Sequence, residues 1–295
     1  MAPTTAQLSA MSRIFSSAVF HELAGKGRSP LFVRLLRQAG MSGHASAATT
    51  VADVFEGVFD LLKRVGSRDE YIYKAALTHR VLLGKHNLRT ACMLNEFRAG
   101  VCKADIAILN GTTTVFEIKS ERDSLTRLQR QLENYRSVFA SAYVIASERH
   151  VEAVLAATPL DVGVMSLHQR YRITTIREAE NRPDQIIPLA VLAAVRTPEA
   201  VQMASAMGCE VPRVPNTLLH RELRCIFAQQ DPAMVHAAML ATLKRTRNLL
   251  PLSVLVESLP PSLHAAVLSK PLKKSDHLRL VEAVRTPMDE AWAWG

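Results

Sequence analysis

Three side chains in the middle of the sequence, Asp105, Glu117 and Lys119, have the types and the spacing for metal-assisted chemistry. Glu117 and Lys119 lie two residues apart, so on a β-strand their side chains leave the same face. Carboxylate oxygens are hard ligands that suit Mg²⁺ or Mn²⁺. Such an ion can activate a water and neutralise charge that develops on a phosphate. The alternative is that the three residues form only charge pairs on a solvated strand.

The stretch that begins at Asp105 and ends after Glu117 predicts a β-hairpin. Asn110-Gly111 is a strong hairpin signal, and a three-residue loop starting at Asn110 pairs Leu109 with Thr113. This register places Asp105 opposite Glu117, whereas a slip of one residue would mix the two faces. It predicts one apolar face towards the core, made of Ala104, Ile106, Phe116 and Ile118.

The elements on either side of the hairpin carry further candidate residues. A strand over residues 92–98 bears Glu96, a third acid that could supply another metal ligand or orient a water. After the hairpin, Asp123 is the expected N-cap of a helix over residues 124–139. On that helix Gln131 and Tyr135 lie four residues apart, which makes them neighbours on the helix surface.

The order of elements between residues 92 and 176 predicts an α/β fold. The pattern reads β-β-β-α-β-α-β, with an antiparallel hairpin that feeds a mixed sheet. Four helices are expected before it, over 4–23, from Ser29-Pro30, over 50–65 and from Ser67.

After Pro183 the sequence predicts helices that are interrupted by prolines. We therefore expect an N-terminal helical region (1–90), which packs on or beside the core, an α/β core (91–181) and an all-α C-terminal region (182–295).

Taken together, these residues resemble the PD-(D/E)XK nuclease superfamily. The resemblance rests on the stretch NEFRAGVCKADIAILNGTTTVFEIKSERDSLTRLQRQLENY, and it covers about residues 92–180. The stretch is similar in particular to a group of largely uncharacterised bacterial and phage proteins within that superfamily. One position departs from the name-giving pattern, because Ala104 and not a proline precedes Asp105.

The resemblance implies a restriction-endonuclease-like core and metal-dependent hydrolysis of phosphodiester bonds. It implies that Asp105, Glu117 and the backbone carbonyl of Ile118 hold Mg²⁺ (or Mn²⁺), with help from Glu96. Lys119 is then expected to steer the attacking water and to stabilise charge on the phosphate.

Two helix residues complete the set that the resemblance implies. Gln131 is expected to orient the water or Lys119. For Tyr135, packing and chemistry both remain open.

The distribution of charge indicates which kinds of partner such a protein would have. The formal net charge of +9 is distributed as +6 in residues 1–90, zero in 91–181 and +3 in 182–295. Basic flanks around a neutral centre favour a polyanionic partner. For a nuclease, DNA is expected in preference to RNA. The alternative is a non-cleaving nucleic-acid-binding or regulatory protein, and the C-terminal helices could form a homodimer or bind a protein partner.

Cysteine spacing and hydropathy predict a soluble cytoplasmic protein, and the resemblance implies a bacterial one. The four cysteines show no C-x-x-C pair and no zinc spacing. The longest apolar run, residues 186–195, contains Pro188 and is too short to span a membrane, so no membrane association is expected.

Overall fold

A computed structural model describes residues 3–41, 49–64, 68–269 and 272–295 of the chain. Contacts divide the chain into two compact units. The helical unit comprises Met1–His79, Gln169–Tyr171 and Pro251–Gly295. The sheet unit comprises Arg80–His168 and Arg172–Leu250. These bounds differ from the three predicted regions, because residues 182–250 group with the sheet and residues 251–295 with the N-terminal helices.

The sheet unit is built on one six-stranded mixed sheet whose strands lie in the order of the sequence. The β1–β2, β2–β3 and β5–β6 pairs are antiparallel, whereas β3–β4 and β4–β5 are parallel. The predicted α/β class with a mixed sheet is therefore confirmed. The strands are β1 (Cys92–Ala99), β2 (Cys102–Asn110), β3 (Thr112–Lys119), β4 (Ser141–Ser147), β5 (Gly163–Leu167) and β6 (Ile173–Arg177).

The register of the β2–β3 hairpin is the predicted one. Leu109 pairs with Thr113, and Ile106 pairs with Phe116. The strands extend to Asn110 and Thr112, so that only Gly111 lies outside them. Gly111 has a φ of +70°, the left-handed conformation that a turn needs and that glycine adopts without strain.

The predicted division of the hairpin into one core face and one open face is wrong. Ala104 belongs to the same buried cluster as Ala107, Leu109 and Val115, although it was expected on the face of Ile106. The face that carries the candidate carboxylates is buried as well, because helices from the rest of the sheet unit pack on it.

Among the described residues, six α-helices accompany the sheet in its unit. The first long one, α6, begins at Leu128, although Asp123 was expected to cap a helix from residue 124. Asp123 instead accepts hydrogen bonds from the amide and hydroxyl of Ser120, which closes a turn after β3 and delays the helix. The helices of this unit are α6 (Leu128–Arg136), α7 (Val151–Ala157), α8 (Pro188–Ala194), α9 (Thr197–Ala206), α10 (Asn216–Ala228) and α11 (Pro232–Thr246).

The N-terminal part of the helical unit follows its capping signals. Thr4 caps the first helix, and Ser29 caps the third, which begins where Ser29-Pro30 predicted a helix. The helix expected over 4–23 is broken, because Ser16 is extended and a second helix begins after it. Ser67 lies outside the described residues, and Asp69 caps the next helix by accepting from the Ile72 amide. These helices are α1 (Thr5–Arg13), α2 (Ser17–Lys26), α3 (Pro30–Gln38), α4 (Val51–Arg64) and α5 (Glu70–Leu77).

The C-terminal segment adds short helices to the same unit. Helices were expected near residues 251–258 and 276–286 and are found there, whereas the other two were not expected. They are α12 (Ser253–Ser258), α13 (His264–Ser269), α14 (Lys274–Arg285) and α15 (Met288–Ala291). Among the described helices, none combines the length and the apolar character that crossing a membrane requires.

Candidate functional site

The candidate site forms where the end of β3 meets α6. Glu117 and Lys119, two residues apart on β3, point to the same side and are only 2% and 4% exposed. Lys119 Nζ donates to Glu117 Oε1 over 2.8 Å. Gln131, on α6, donates from Nε2 to the same oxygen over 2.6 Å and accepts from Lys119 Nζ through its Oε1 over 3.0 Å. The strand and the helix thus close a three-membered hydrogen-bonded ring.

Tyr135 is the fourth member of the cluster. For this residue the sequence left both a packing role and a chemical role open. Its hydroxyl lies 2.7 Å from Glu117 Oε2 and 2.8 Å from the backbone carbonyl oxygen of Lys103. Burial raises the pKa of the phenol, and the negative charge of Glu117 raises it further. The hydroxyl therefore stays protonated, and its single proton can serve only one of the two acceptors at a time.

Asp105 joins the cluster through the backbone and not through the predicted cross-strand pairing. The β2–β3 ladder ends at Ile106–Phe116, so Asp105 and Glu117 are not a paired couple in it. Asp105 Oδ2 accepts the backbone N–H of Ile118 over 2.8 Å. The carboxylate therefore takes the place of a ladder hydrogen bond and opens the two strands beside Glu117.

Glu96 stands apart from the other candidates. It is exposed, and its carboxylate lies 3.6 Å from the ammonium of the equally exposed Lys103. Its φ of +50° is unusual for a residue other than glycine inside a strand. Such strained backbone conformations concentrate at functional sites.

The positive φ of Glu96 coincides with a change in the side-chain alternation of β1. The buried cluster takes Cys92 and Leu94 before Glu96 but Phe97 and Ala99 after it. Strict alternation would have kept Leu94 and Glu96 on one face.

The carboxylates of Asp105 and Glu117 are the type of oxygen ligand that hard divalent cations such as Mg²⁺ prefer. Glu117 Oε1 already accepts two hydrogen bonds, whereas Oε2 accepts at most one and keeps a lone pair. Within the described ranges, no three His, Cys, Asp or Glu side chains come together as a metal-binding group. Glu96, Asp105 and Glu117, all of them described residues, accordingly do not form such a group.

The chain belongs to the bacteriophage P4 protein cII family, because the model of that family matches residues 63–245, more than half of the chain. That range contains every candidate residue described above. The cII protein of Enterobacteria phage P4 is 40% identical over 86 residues, which are 28% of this chain and 33% of that relative. The matched part thus spans about a third of the relative's length.

A solved structure, a protein of unknown function from Silicibacter pomeroyi, aligns with a TM-score of 0.31 and 17% identity. The alignment covers 41% of this chain and 77% of that protein.

The structure brings together most, but not all, of the residues that the sequence singled out. Glu117, Lys119 and Gln131 are in direct contact, and Asp105 bonds the backbone between the first two. Glu96 is the exception. Tyr135 belongs to the cluster, and the signal that could have placed it there is its spacing of one helical turn from Gln131.

Proposed function

We propose that this protein is a metal-dependent nuclease with a restriction-endonuclease-like core, which hydrolyses phosphodiester bonds in DNA in preference to RNA. The observation that carries the proposal is the buried Glu117–Lys119–Gln131 ring beside Asp105. A lysine and two carboxylates at the end of one hairpin combine a cation-binding group with a fixed positive charge. Phosphoryl transfer needs those two features, because its catalysis rests largely on positioning and charge stabilisation.

Asp105, Glu117 and the Ile118 carbonyl would hold the cation, which is Mg²⁺ or Mn²⁺ by the chemistry of the ligands. When bound, the ion supplies neutralisation of charge on the phosphate and activation of a water. Asp105 is suited to this role because its Oδ2 is fixed by the Ile118 amide, which also sets the position of the neighbouring carbonyl.

Lys119 supplies the positive charge that faces the reacting phosphate. Its ammonium is fixed by Glu117 and Gln131, so little side-chain entropy is lost when it meets an oxygen that gains charge. Its stem is buried, which strengthens its electrostatic effect.

Gln131 and Tyr135 position Glu117. Gln131 holds Oε1 together with Lys119, and Tyr135 lies at Oε2. Because the Tyr135 hydroxyl can turn to the Lys103 carbonyl, Glu117 can release one hydrogen bond without leaving a buried donor unpaired.

A second candidate function is a nucleic-acid-binding or regulatory protein that does not cut. Both oxygens of Glu117 already accept hydrogen bonds, and Glu96 does not join the other acids. A closed cluster of this kind also stabilises a fold without any metal. The two functions differ in whether the same site residues are needed for cleavage or only for stability.

The test is a cleavage assay of the purified protein on linear, circular and single-stranded DNA and on RNA. Each substrate is incubated with Mg²⁺, Mn²⁺ or EDTA, beside Asp105→Asn and Lys119→Met variants. Asp105→Asn keeps the size of the side chain and an acceptor for the Ile118 amide. We therefore expect this variant to fold, so that a loss of cleavage reports on the missing carboxylate. Glu96→Gln is the matched variant of an acid outside the cluster.

We expect metal-dependent cleavage that Asp105→Asn and Lys119→Met lose and that Glu96→Gln retains in large part. Cleavage that persists in folded Asp105→Asn would reject the site. Binding of nucleic acid without cleavage under every condition would favour the second function.

A further inference from the structure

The sheet unit has an open groove at the beginning of β1, separate from the Glu117 cluster. Its volume is about 490 Å³. One wall is a face of α11 and the other is the segment that leads into β1, around Arg89 and Cys92. This volume lies in the range of binding sites for small organic ligands.

The α11 wall follows from helical spacing. Ala237 and Ala241 are one turn apart, as are Leu240 and Lys244, so these residues lie on one face. The small and apolar residues occupy the first half of this face, and the positive charges follow at its end. The groove therefore has an apolar surface that leads to a cationic end.

Three positive side chains line the groove, Lys244 and Arg245 on α11 and Arg89 on the opposite wall. No Asp or Glu is among the described residues that line the groove. Arg245 donates to the neutral Gln202, and in the described part of the chain none of the three forms an ion pair. Cys92, which also lines the groove, does not offset this positive charge, because burial raises the pKa of its thiol to about 12 and keeps it neutral.

We propose that this groove binds a nucleoside phosphate. The phosphate lies at Arg89, Lys244 and Arg245, and the base packs on the apolar surface of Ala237 and Ala241. A phosphate with up to two negative charges matches three cations better than a single carboxylate does. Alanine and leucine side chains offer a planar base a flat contact and place no polar group opposite its face.

The ligand could come from two sources that share this chemistry, a free nucleotide or the end of a nucleic-acid strand. The groove begins at Cys92, which pairs with Leu109, and Asp105 lies four residues from Leu109 along β2, a separation of about 13 Å in a strand. The nucleoside phosphate therefore occupies a site distinct from that of the proposed cleavage. Its binding does not depend on Asp105.

The test is calorimetric titration of the full-length protein with adenosine 5′-monophosphate, with adenosine and inorganic phosphate as partial ligands. We expect one molecule to bind per chain, more tightly than either partial ligand. Lys244→Gln and Arg245→Gln should each weaken binding about tenfold, the effect of one lost charge-assisted contact. Ala241→Glu, an exposed position, should abolish it by placing a negative charge in the groove.

Arg224→Gln is the matched control, because Arg224 is an exposed arginine on α10 of the same unit. It should leave the affinity unchanged, and so should Asp105→Asn. Folded protein that gives no binding of the monophosphate would overturn the proposal, as would binding that the groove variants do not alter. A 5′-phosphorylated single-stranded oligonucleotide separates the sources, since tighter binding than the monophosphate identifies a strand end and weaker binding a free nucleotide.

Discussion

At the scale of single residues, the site depends on a buried ion pair. The side chains of Lys119 and Glu117 are 5% and 3% exposed, and their charged atoms are 2.8 Å apart. Removing water from two charges costs several kcal/mol, which their attraction and further hydrogen bonds offset only when both are present. Gln131 and Tyr135 provide those hydrogen bonds.

Removing one partner of this pair should therefore cost more than removing both. We expect Lys119→Met to lower the free energy of unfolding by about 3–5 kcal/mol, because it leaves Glu117 charged and buried. The double variant Lys119→Met/Glu117→Gln should lose less than the single one. Denaturant unfolding of the two single variants and the double variant measures the coupling, and additive effects would show that the pair is not charged.

A second residue-scale prediction concerns His236 on α11, which accepts the backbone N–H of Thr113 through Nε2 over 3.3 Å. Burial lowers the pKa of His236 below its ordinary 6.5. The unfolded chain then binds more protons than the folded one, so stability is full above about pH 6.5 and falls as the pH drops below it.

We expect His236→Gln, which keeps an acceptor but does not titrate, to reduce the loss of stability between pH 7.5 and pH 5.5. Denaturant unfolding at the two pH values measures the difference. Burial also lowers the pKa of His264, so this residue too makes the protein less stable as the pH falls. Some loss of stability should therefore remain in the His236→Gln variant. An unchanged loss in His236→Gln would show that His236 does not contribute.

At the scale of elements, α6 positions the site by holding the turn between β1 and β2. Asn134 Oδ1 accepts the Val101 amide, while Tyr135 reaches the Lys103 carbonyl. Gly100 lies in this turn with a φ of +57°, and a Cβ there would collide with Asn134 Oδ1. The same helix face thus contacts both the turn and Glu117.

Gly100→Ala should therefore destabilise the sheet unit for two reasons, the left-handed backbone and the collision. The backbone term alone is about 1–2 kcal/mol. In an Asn134→Ala background the penalty of Gly100→Ala should shrink towards that value, because the collision is removed. Denaturant unfolding of the four proteins tests this, and equal penalties in both backgrounds would contradict the contact.

The sequence predicted the elements better than their boundaries and contacts. The strands along the chain and the hairpin register follow from alternation and from Asn110-Gly111, which are local signals. The start of α6 was missed, because Asp123 bonds Ser120 instead of the helix. The positive φ of Glu96 could not be predicted, because a left-handed conformation at a glutamate arises from the surrounding sheet and not from its own sequence.

At the scale of the whole molecule, charge distribution governs the expected partner. The positively charged segments flank a neutral middle in the sequence, yet two exposed arginines, Arg127 and Arg130, lie beside Gln131 at the start of α6. A polyanion that reaches the Glu117 cluster would meet these two side chains. Contacts of this kind release counterions and make binding dependent on salt.

We expect the Asp105→Asn protein to bind DNA without cutting it. The logarithm of its DNA-binding constant should fall linearly with the logarithm of the salt concentration. Adding Arg127→Gln and Arg130→Gln should make the slope shallower by about two, one for each lost phosphate contact. Fluorescence anisotropy over a salt series measures the slope. Arg224→Gln in the same background is the control. If it changes the slope as much as the Arg127 and Arg130 substitutions do, the phosphate contacts cannot be assigned to the start of α6.

The most direct test of the central claim is cleavage of circular DNA by wild-type and Asp105→Asn proteins with Mg²⁺, after unfolding curves have shown both to be folded. The proposed site predicts nicked or linear products with the wild type, no products with the variant, and none with EDTA. Equal cleavage by the two proteins, or cleavage that persists in EDTA, would contradict a metal site at Asp105 and Glu117.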